Sequence, residues 1–189
     1  MKAYLANGLF SESDQAYNAY LADRIRTNFP WMDLYVPQEN EALNDKMGYA
    51  SSVQIFRGDN VYLDPAEILI AVLDGAIIDE GVASEVARFT AFKEWEEGNE
   101  GQYRPRYVFG LYTDVRQQGA HNPKKIDALK NEVAENQFSY RNLYTIGAVK
   151  DHGIIATSSD GLIDLIDKIV PLPKSADLQM QLDLDTDGF

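Results

Sequence analysis

The chain has 189 residues, 45% of them hydrophobic, and a formal net charge of −13 from 30 acidic and 17 basic side chains. That length fits one domain with a sizeable core, and the charge argues against partnership with bulk nucleic acid or an anionic membrane, both of which reward clustered Lys and Arg. There is no cysteine, and the two histidines, His121 and His152, fall in expected loops. A disulfide frame, a thiolate metal site, a zinc centre and a Ser-His triad therefore lack support.

KAYLA (2–6) opens the chain as a short apolar strand. NGLF turns it, and Ser11 or Ser13 caps a helix over 14–28 whose Tyr17, Tyr20, Leu21 and Ile25 recur at helical spacing. NFPW breaks that helix, DLYVP (33–37) is a second strand, QENEALNDK is a polar loop, and 47–63 reads as a helix. EILIAVLD (67–74) is a continuous apolar run between Pro65 and Gly75, as expected of a parallel strand covered on both faces. A helix over 82–96 follows, with Val82, Val86, Phe89 and Trp95 on one side. YVFGLYT (107–113) is the fourth strand, and 124–135 is a polar helix. NLYTIGAVK (142–150) fits helix or strand by pattern alone, GIIATS (153–158) is a short strand, and 159–169 is the last helix. The domain is expected over 1–170, followed by a proline-broken acidic tail over 171–189. No apolar run approaches the roughly 18–20 residues of a membrane span. MKAYLANGLF lacks a secretory h-region and cleavage site, so a cytoplasmic protein is the expectation.

Strands alternating with helices imply an α/β fold with a doubly wound parallel sheet. Ligands bind such sheets beyond the carboxyl ends of the strands, which brings residues 7–10, 37–46, 74–85 and 113–121 to one edge. That edge collects carboxylates: Asp74, Asp79, Glu80 and Glu85 all follow the most apolar strand. Each has an ordinary explanation. Glu85, about one turn into its helix, gains roughly 0.3–1 kcal/mol from the helix dipole. Asp79 fits an N-terminal cap, and Asp59 in FRGD fits a solvated helix face. The spacing D-E-G-V-A-S-E favours something more, because Gly81 and Ala83 let another molecule approach the backbone. GxGxxG and GxxxxGK[ST] are absent, so no phosphate-cradling loop is indicated.

YLANGLF, LYVPQEN, D-x7-E-I-L-I-A-V-L-D-G, D-x-G-x-x-x-E and RNLYTIG, in that order over about residues 3–170, resemble the nucleoside 2-deoxyribosyltransferases. The resemblance implies a flavodoxin-like α/β sandwich and a homo-oligomer, often a hexamer, whose sites are completed by a neighbouring subunit. It implies Glu85 as catalytic nucleophile, Tyr4 as the hydroxyl that orients it, and Asp79 as the holder of the deoxyribose hydroxyls. Asp59 would help to protonate the leaving base, Asn142 would come from a neighbouring subunit to the sugar's 5′ end, and Phe10 would lie near the base. Glu41 stands where some relatives carry glutamine, and Gln38, Asn40 and Asn44 are the alternative base readers. The substrates implied are 2′-deoxynucleosides and free nucleobases, with no metal or organic cofactor.

The residue types suit that chemistry. An N-glycosidic bond breaks through an oxocarbenium-like transition state, which a carboxylate on the sugar face stabilises and can capture at C1′. A second acid must protonate the departing base, so the two environments should push their pKa values apart. A hydrolytic nucleoside 5′-monophosphate N-glycosidase is the next reading, yet NGLFSES offers serines and no Arg or Lys for a phosphate. A non-catalytic nucleoside-binding protein is the third, and it would have no use for a buried nucleophile.

Overall fold

The computed structural model describes residues 1–44, 48–99, 101 and 103–172. Five strands form one parallel sheet: β1 (Lys2–Ala6), β2 (Asp33–Tyr35), β3 (Ile68–Val72), β4 (Tyr107–Leu111) and β5 (Gly153–Ala156). The helices are α1 (Glu12–Asn28), α2 (Glu41–Asn44), α3 (Ser52–Leu63), α4 (Glu80–Glu97), α5 (Pro123–Asn131), α6 (Leu143–His152) and α7 (Ser159–Ile169). The strand order β2-β1-β3-β4-β5 is that of the flavodoxin-like doubly wound fold. The order reverses between β1 and β3, so a crevice opens beyond the ends of those two strands.

The period-two alternation of the strands sorts the core into two layers. Ala3, Leu5, Ile68, Ile70, Val72, Phe109 and Leu111 face α1 and α7, meeting Leu21, Ile25, Leu162 and Ile166. Tyr4, Ala6, Leu69, Ala71, Leu73 and Val108 face the other side, against Leu63 of α3, Val82, Val86 and Phe89 of α4, and Val149 of α6. β3 is buried along its whole length, as its unbroken apolar run requires. The described helices include none long and apolar enough to cross a membrane.

Several boundaries differ from the sequence expectation. The second strand ends at Tyr35, because Pro37 starts a 3-10 turn over Pro37–Glu39 that leads into α2, where a loop was expected. The helix expected from 47 starts at Ser52, where Ser51 and Gln54 form a capping box. The helix after β3 starts at Glu80, two residues early, since Asp79 caps it. Trp95 and Tyr20 point to solvent, while Glu96 is buried. The polar helix ends at Asn131 rather than 135. Residues 143–152 are helical, so His152 ends a helix and bonds Glu94 instead of sitting in a loop. The tail from 173 onward lies outside the described residues.

Glu96 is buried because Arg106 is. Arg106 Nε donates to Glu96 Oε2 at 2.7 Å and its other nitrogens donate to the Ala66 and Asp64 carbonyls at 2.8 Å. Hydrogen bonding to Arg106, and then to Arg104, holds the Glu96 carboxyl down at about 2 against the opposing effect of burial. One guanidinium thus ties the end of α4 and the start of β4 to the α3–β3 turn. Removing Arg106 leaves the buried Glu96 carboxylate with only the half-exposed Arg104, and deprives the Ala66 and Asp64 carbonyls of its donors. Arg106→Met should therefore lower unfolding free energy by about 3 kcal/mol, and adding Glu96→Met should recover much of the loss. Urea denaturation of both variants measures this; a double variant no more stable than the single would show that the pair's charge is not the source.

Candidate active site

The centre of the site is a bond between the sheet and α4. Tyr4 lies in mid-β1, has no exposed surface, and points to the α4 side. Its hydroxyl donates to Glu85 Oε1 at 2.5 Å. Burial first, and then the Glu85 carboxylate, raise the Tyr4 phenol far above its ordinary value, so it is a permanent donor and never the acid of a reaction near neutral pH. Glu85 sits in the second turn of α4, since the helix begins at Glu80. Its environment is therefore burial rather than the first-turn dipole. Burial pushes its carboxyl up to about 7, Asp59 and Asp79 add to the rise, and the Tyr4 hydrogen bond opposes it.

Asp59, on the inner side of α3, is half-buried rather than fully solvated. Tyr35 Oη donates to Asp59 Oδ1 at 3.3 Å, and Asn40 Nδ2 donates to Tyr35 Oη at 3.0 Å. Burial raises the Asp59 carboxyl and the Tyr35 bond partly offsets it. Asp79 caps α4: its Oδ1 accepts the amides of Gly81 at 2.9 Å and Val82 at 3.1 Å. The ordinary reading of Asp79 is thus realised, with Oδ2 left over beside Gly8. In Glu85, Asp59 and Asp79 alike, one oxygen is held by the protein, and no described residue donates to the other.

These three carboxylates line one cleft of about 190 Å³ together with Asn7, Gly8, Leu9, Phe10, Pro37, Leu43, Ile55, Gly81 and Val82. A neighbouring cleft of about 470 Å³ shares Asn7, Gly8 and Asp79 and continues past Asp14, Asp74 and Glu80. Small-molecule sites commonly occupy about 300–1,000 Å³, which needs both compartments, with Asp79 on their common wall. Asp74 is committed elsewhere: it accepts from the Thr113 amide and hydroxyl at 2.7 and 2.6 Å, joining the ends of β3 and β4.

The remaining expected site residues are dispersed. Phe10 is on the cleft's rim, 76% exposed, and Gly81 lines the cleft. Gln38 has both ends of its amide engaged, accepting from Asn18 at 2.9 Å and donating to the Gln15 carbonyl at 3.2 Å. Asn40 borders a separate hollow behind Tyr35. The Asn44 side chain lies outside the described residues. Asn142 caps α6, accepting the Tyr144 and Thr145 amides, and is not among the residues lining the Glu85 cleft. Sequence reasoning missed Tyr35 and the Asn7–Asn18–Gln38 network. Alternation along DLY could have put Tyr35 on the Tyr4 face, but only the register pairs them.

A parallel sheet with a desolvated glutamate oriented at its switch point, and two further carboxylates in the same cleft, defines an enzyme-like carboxylate site with no cationic side chain among the described residues that line it. The family model for nucleoside 2-deoxyribosyltransferase matches residues 3–142, and the chain belongs to that family. Its general kind is therefore glycosyl transfer on nucleosides and nucleobases. The chain is also similar to a solved structure, the crystal structure of a conserved protein from Enterococcus faecalis V583. Identity is 46% and the TM-score 0.77, covering 89% of this chain and 98% of that one. No curated protein matches the chain.

The raised Glu85 carboxyl makes a stability prediction. A carboxyl moved from 4.5 to about 7 contributes stability fully present below pH 4.5 and lost as pH rises through about 7. Glu85→Gln keeps an acceptor for Tyr4 and cannot ionise. It should match the parent at pH 4.5 and exceed it at pH 8.5 by as much as about 3 kcal/mol, as read from urea midpoints at the two pH values. An equal difference at both would mean that Glu85 is not desolvated.

Proposed function

We propose that the protein transfers 2-deoxyribose between nucleobases through a covalent deoxyribosyl-Glu85 intermediate. The observation that carries this reading is the Tyr4–Glu85 hydrogen bond, which engages Oε1 and leaves Oε2 to attack. In the first step a bond forms between Glu85 Oε2 and C1′ as the C1′–N bond breaks. The bonding pair leaves with the base, which takes a proton from Asp59. In the second, a nitrogen of the incoming base attacks C1′ from the face the first base left, Glu85 departs with its electron pair, and Asp59 takes the proton of the incoming base. Two inversions retain configuration. Asp79, with Oδ2 turned to the cleft, receives the sugar hydroxyls. The three carboxylates favour a neutral nucleoside over a nucleotide, and the alternative, hydrolysis of a nucleoside 5′-monophosphate, would set a phosphate against Asp14, Asp79 and Glu80.

The experiment mixes deoxyinosine with free adenine or cytosine and follows new deoxynucleoside by chromatography. Transfer should appear and be lost, by at least about 10³-fold, in Glu85→Ala, and intact-mass spectra of quenched parent enzyme should show one deoxyribosyl adduct on Glu85. Because Glu85 attacks as the anion, kcat/KM should fall as pH drops below about 7. Faster turnover of deoxyadenosine 5′-monophosphate, with water as sole acceptor, would replace transfer by hydrolysis.

The assembly belongs to the same proposal. Asn142 reaches a sugar only if it serves another subunit's cleft. Exposed Tyr140, Leu143 and Tyr144 flank it, and beside them the α4–α6 groove is floored by Ala87, Ala91 and Gly147. Its small residues would let a second copy pack closely, with Glu94, Asp151 and His152 also lining the groove. Asn142→Ala and Glu85→Ala proteins, each weak or inactive, should regain activity when refolded together. Mixed oligomers that stay inactive would remove Asn142 from the site.

A further inference from the structure

We propose that Tyr35 is a positioning residue for Asp59, with its hydroxyl proton aimed by Asn40 and its ring fixed between Tyr4 and Tyr62. The proposal rests on the transfer reading for its catalytic consequence but not for its geometry. In the parallel register Tyr35 stands directly opposite Tyr4, so both rings occupy the same face of the sheet. Their centroids are 5.3 Å apart, and Tyr35 stacks face to face on Tyr62 of α3 at 3.8 Å and 7°. The two neighbouring phenols then serve different carboxylates, Tyr4 holding Glu85 and Tyr35 holding Asp59. The sheet register thereby sets the placement of the nucleophile relative to the acid.

A phenol has one proton. Asn40 Nδ2 can only donate, so Tyr35 Oη accepts from it and its own proton is directed to Asp59 Oδ1. With Oδ1 occupied, the proton that Asp59 exchanges with a base rides on Oδ2. The same bond steadies the Asp59 carboxylate formed once the base has taken that proton. Neither Tyr35 nor Asn40 is among the residues lining the Glu85 cleft. Both line the hollow on the other side of the tyrosine pair, with Tyr62. Asn40 therefore acts through Tyr35 rather than by reading the base, a different role from the one its position in the sequence suggests.

The test uses Tyr35→Phe, Asn40→Ala and the double variant, with two readouts. The first needs no substrate: carbon-detected NMR titration of the Asp59 carboxyl. Losing the phenol's donation should move that titration upward in Tyr35→Phe, less so in Asn40→Ala, and no further in the double variant than in Tyr35→Phe. The second is steady-state transfer. Tyr35→Phe should lower kcat by about tenfold, below the about 10²–10⁴-fold range for losing a general acid outright, with KM changed less than about twofold and base preference intact. An Asp59 titration that does not move in Tyr35→Phe would overturn the proposal. So would additive effects of the two substitutions, or an Asn40→Ala defect confined to KM for one base, which would return Asn40 to base reading. If the parent enzyme transfers no deoxyribose while the titration moves as described, the reaction assignment falls and the positioning of Asp59 stands. Asn40→Ala leaves the whole ring stack in place, so a Tyr35→Phe protein that failed to fold would still leave a variant that decides the matter.

Discussion

A phenol buried in the middle of a parallel strand must find a hydrogen-bond partner inside the protein, and at Tyr4 that partner is a carboxylate. Leaving the hydroxyl unpaired would cost about 1–3 kcal/mol. Supplying Glu85 instead draws a charged group out of water, which is why its carboxyl rises to about 7. The sheet and α4 are thus joined at a point that is both a packing contact and a poised acid–base group. Glu85 is stable there in its neutral form and reactive in its charged form, and near neutral pH the two are close in free energy. In the proposed mechanism, capture of C1′ would remove the charge from the fold, so burial that disfavours the anion would also favour the glycosyl ester.

The crowd of carboxylates after β3 divides into distinct jobs once the chain is folded. Asp74 stitches β3 to β4 through Thr113, and Asp79 caps α4 with one oxygen while facing the cleft with the other. Glu80 stands in the first turn of α4, and Glu85 meets Tyr4 from the second turn. The proposed sugar contact would therefore be superposed on a structural cap at Asp79. Its capping bonds fix the direction of the carboxylate, and a fixed direction is what a sugar-binding group requires. Substituting Asp79 would disturb α4 and the site together, whereas Glu85 and Asp59 can be probed with less damage to the fold.

The alternation of apolar strands and helices made the sheet legible, and the unbroken run at 67–74 identified its most buried strand. The same features located the edge where the site lies, and family resemblance supplied roles for single residues. What stayed hidden was whatever depends on register or on long-range pairing. Tyr35 is an unremarkable strand tyrosine until β2 pairs with β1 and sets it opposite Tyr4. Nothing local in the sequence marks Arg106 and Glu96 as a buried pair, because the carbonyls that accept from the guanidinium belong to Ala66 and Asp64, far off along the chain. Trp95 was assigned inward by hydrophobicity, but α4 begins at Glu80 and carries Glu96 on its buried side at that end. Gln38 is one of the base readers that the family resemblance suggests, and the fold engages its amide with Asn18 and the Gln15 carbonyl.

In the proposed transfer, Glu85 and Asp59 pose a protonation problem, and the fold treats the two asymmetrically. Burial raises both carboxyls, Glu85 to about 7 and Asp59 above its ordinary value. The proposed reaction needs Glu85 charged and Asp59 protonated. Asp59 adds to the rise at Glu85, so charge on one disfavours ionisation of the other. Tyr4 is a full hydrogen bond at 2.5 Å to Glu85, while Tyr35 is a long one at 3.3 Å to Asp59. The stronger donor should hold the charge and the weaker donor should leave its carboxyl the proton. The better-solvated position of Asp59 opposes this order in the empty site. In the proposed transfer, a base seated over Asp59 would remove its water, and the positive charge growing at C1′ would favour the Glu85 anion. On the proposed mechanism, binding would then complete the assignment of acid and nucleophile that the two tyrosines begin.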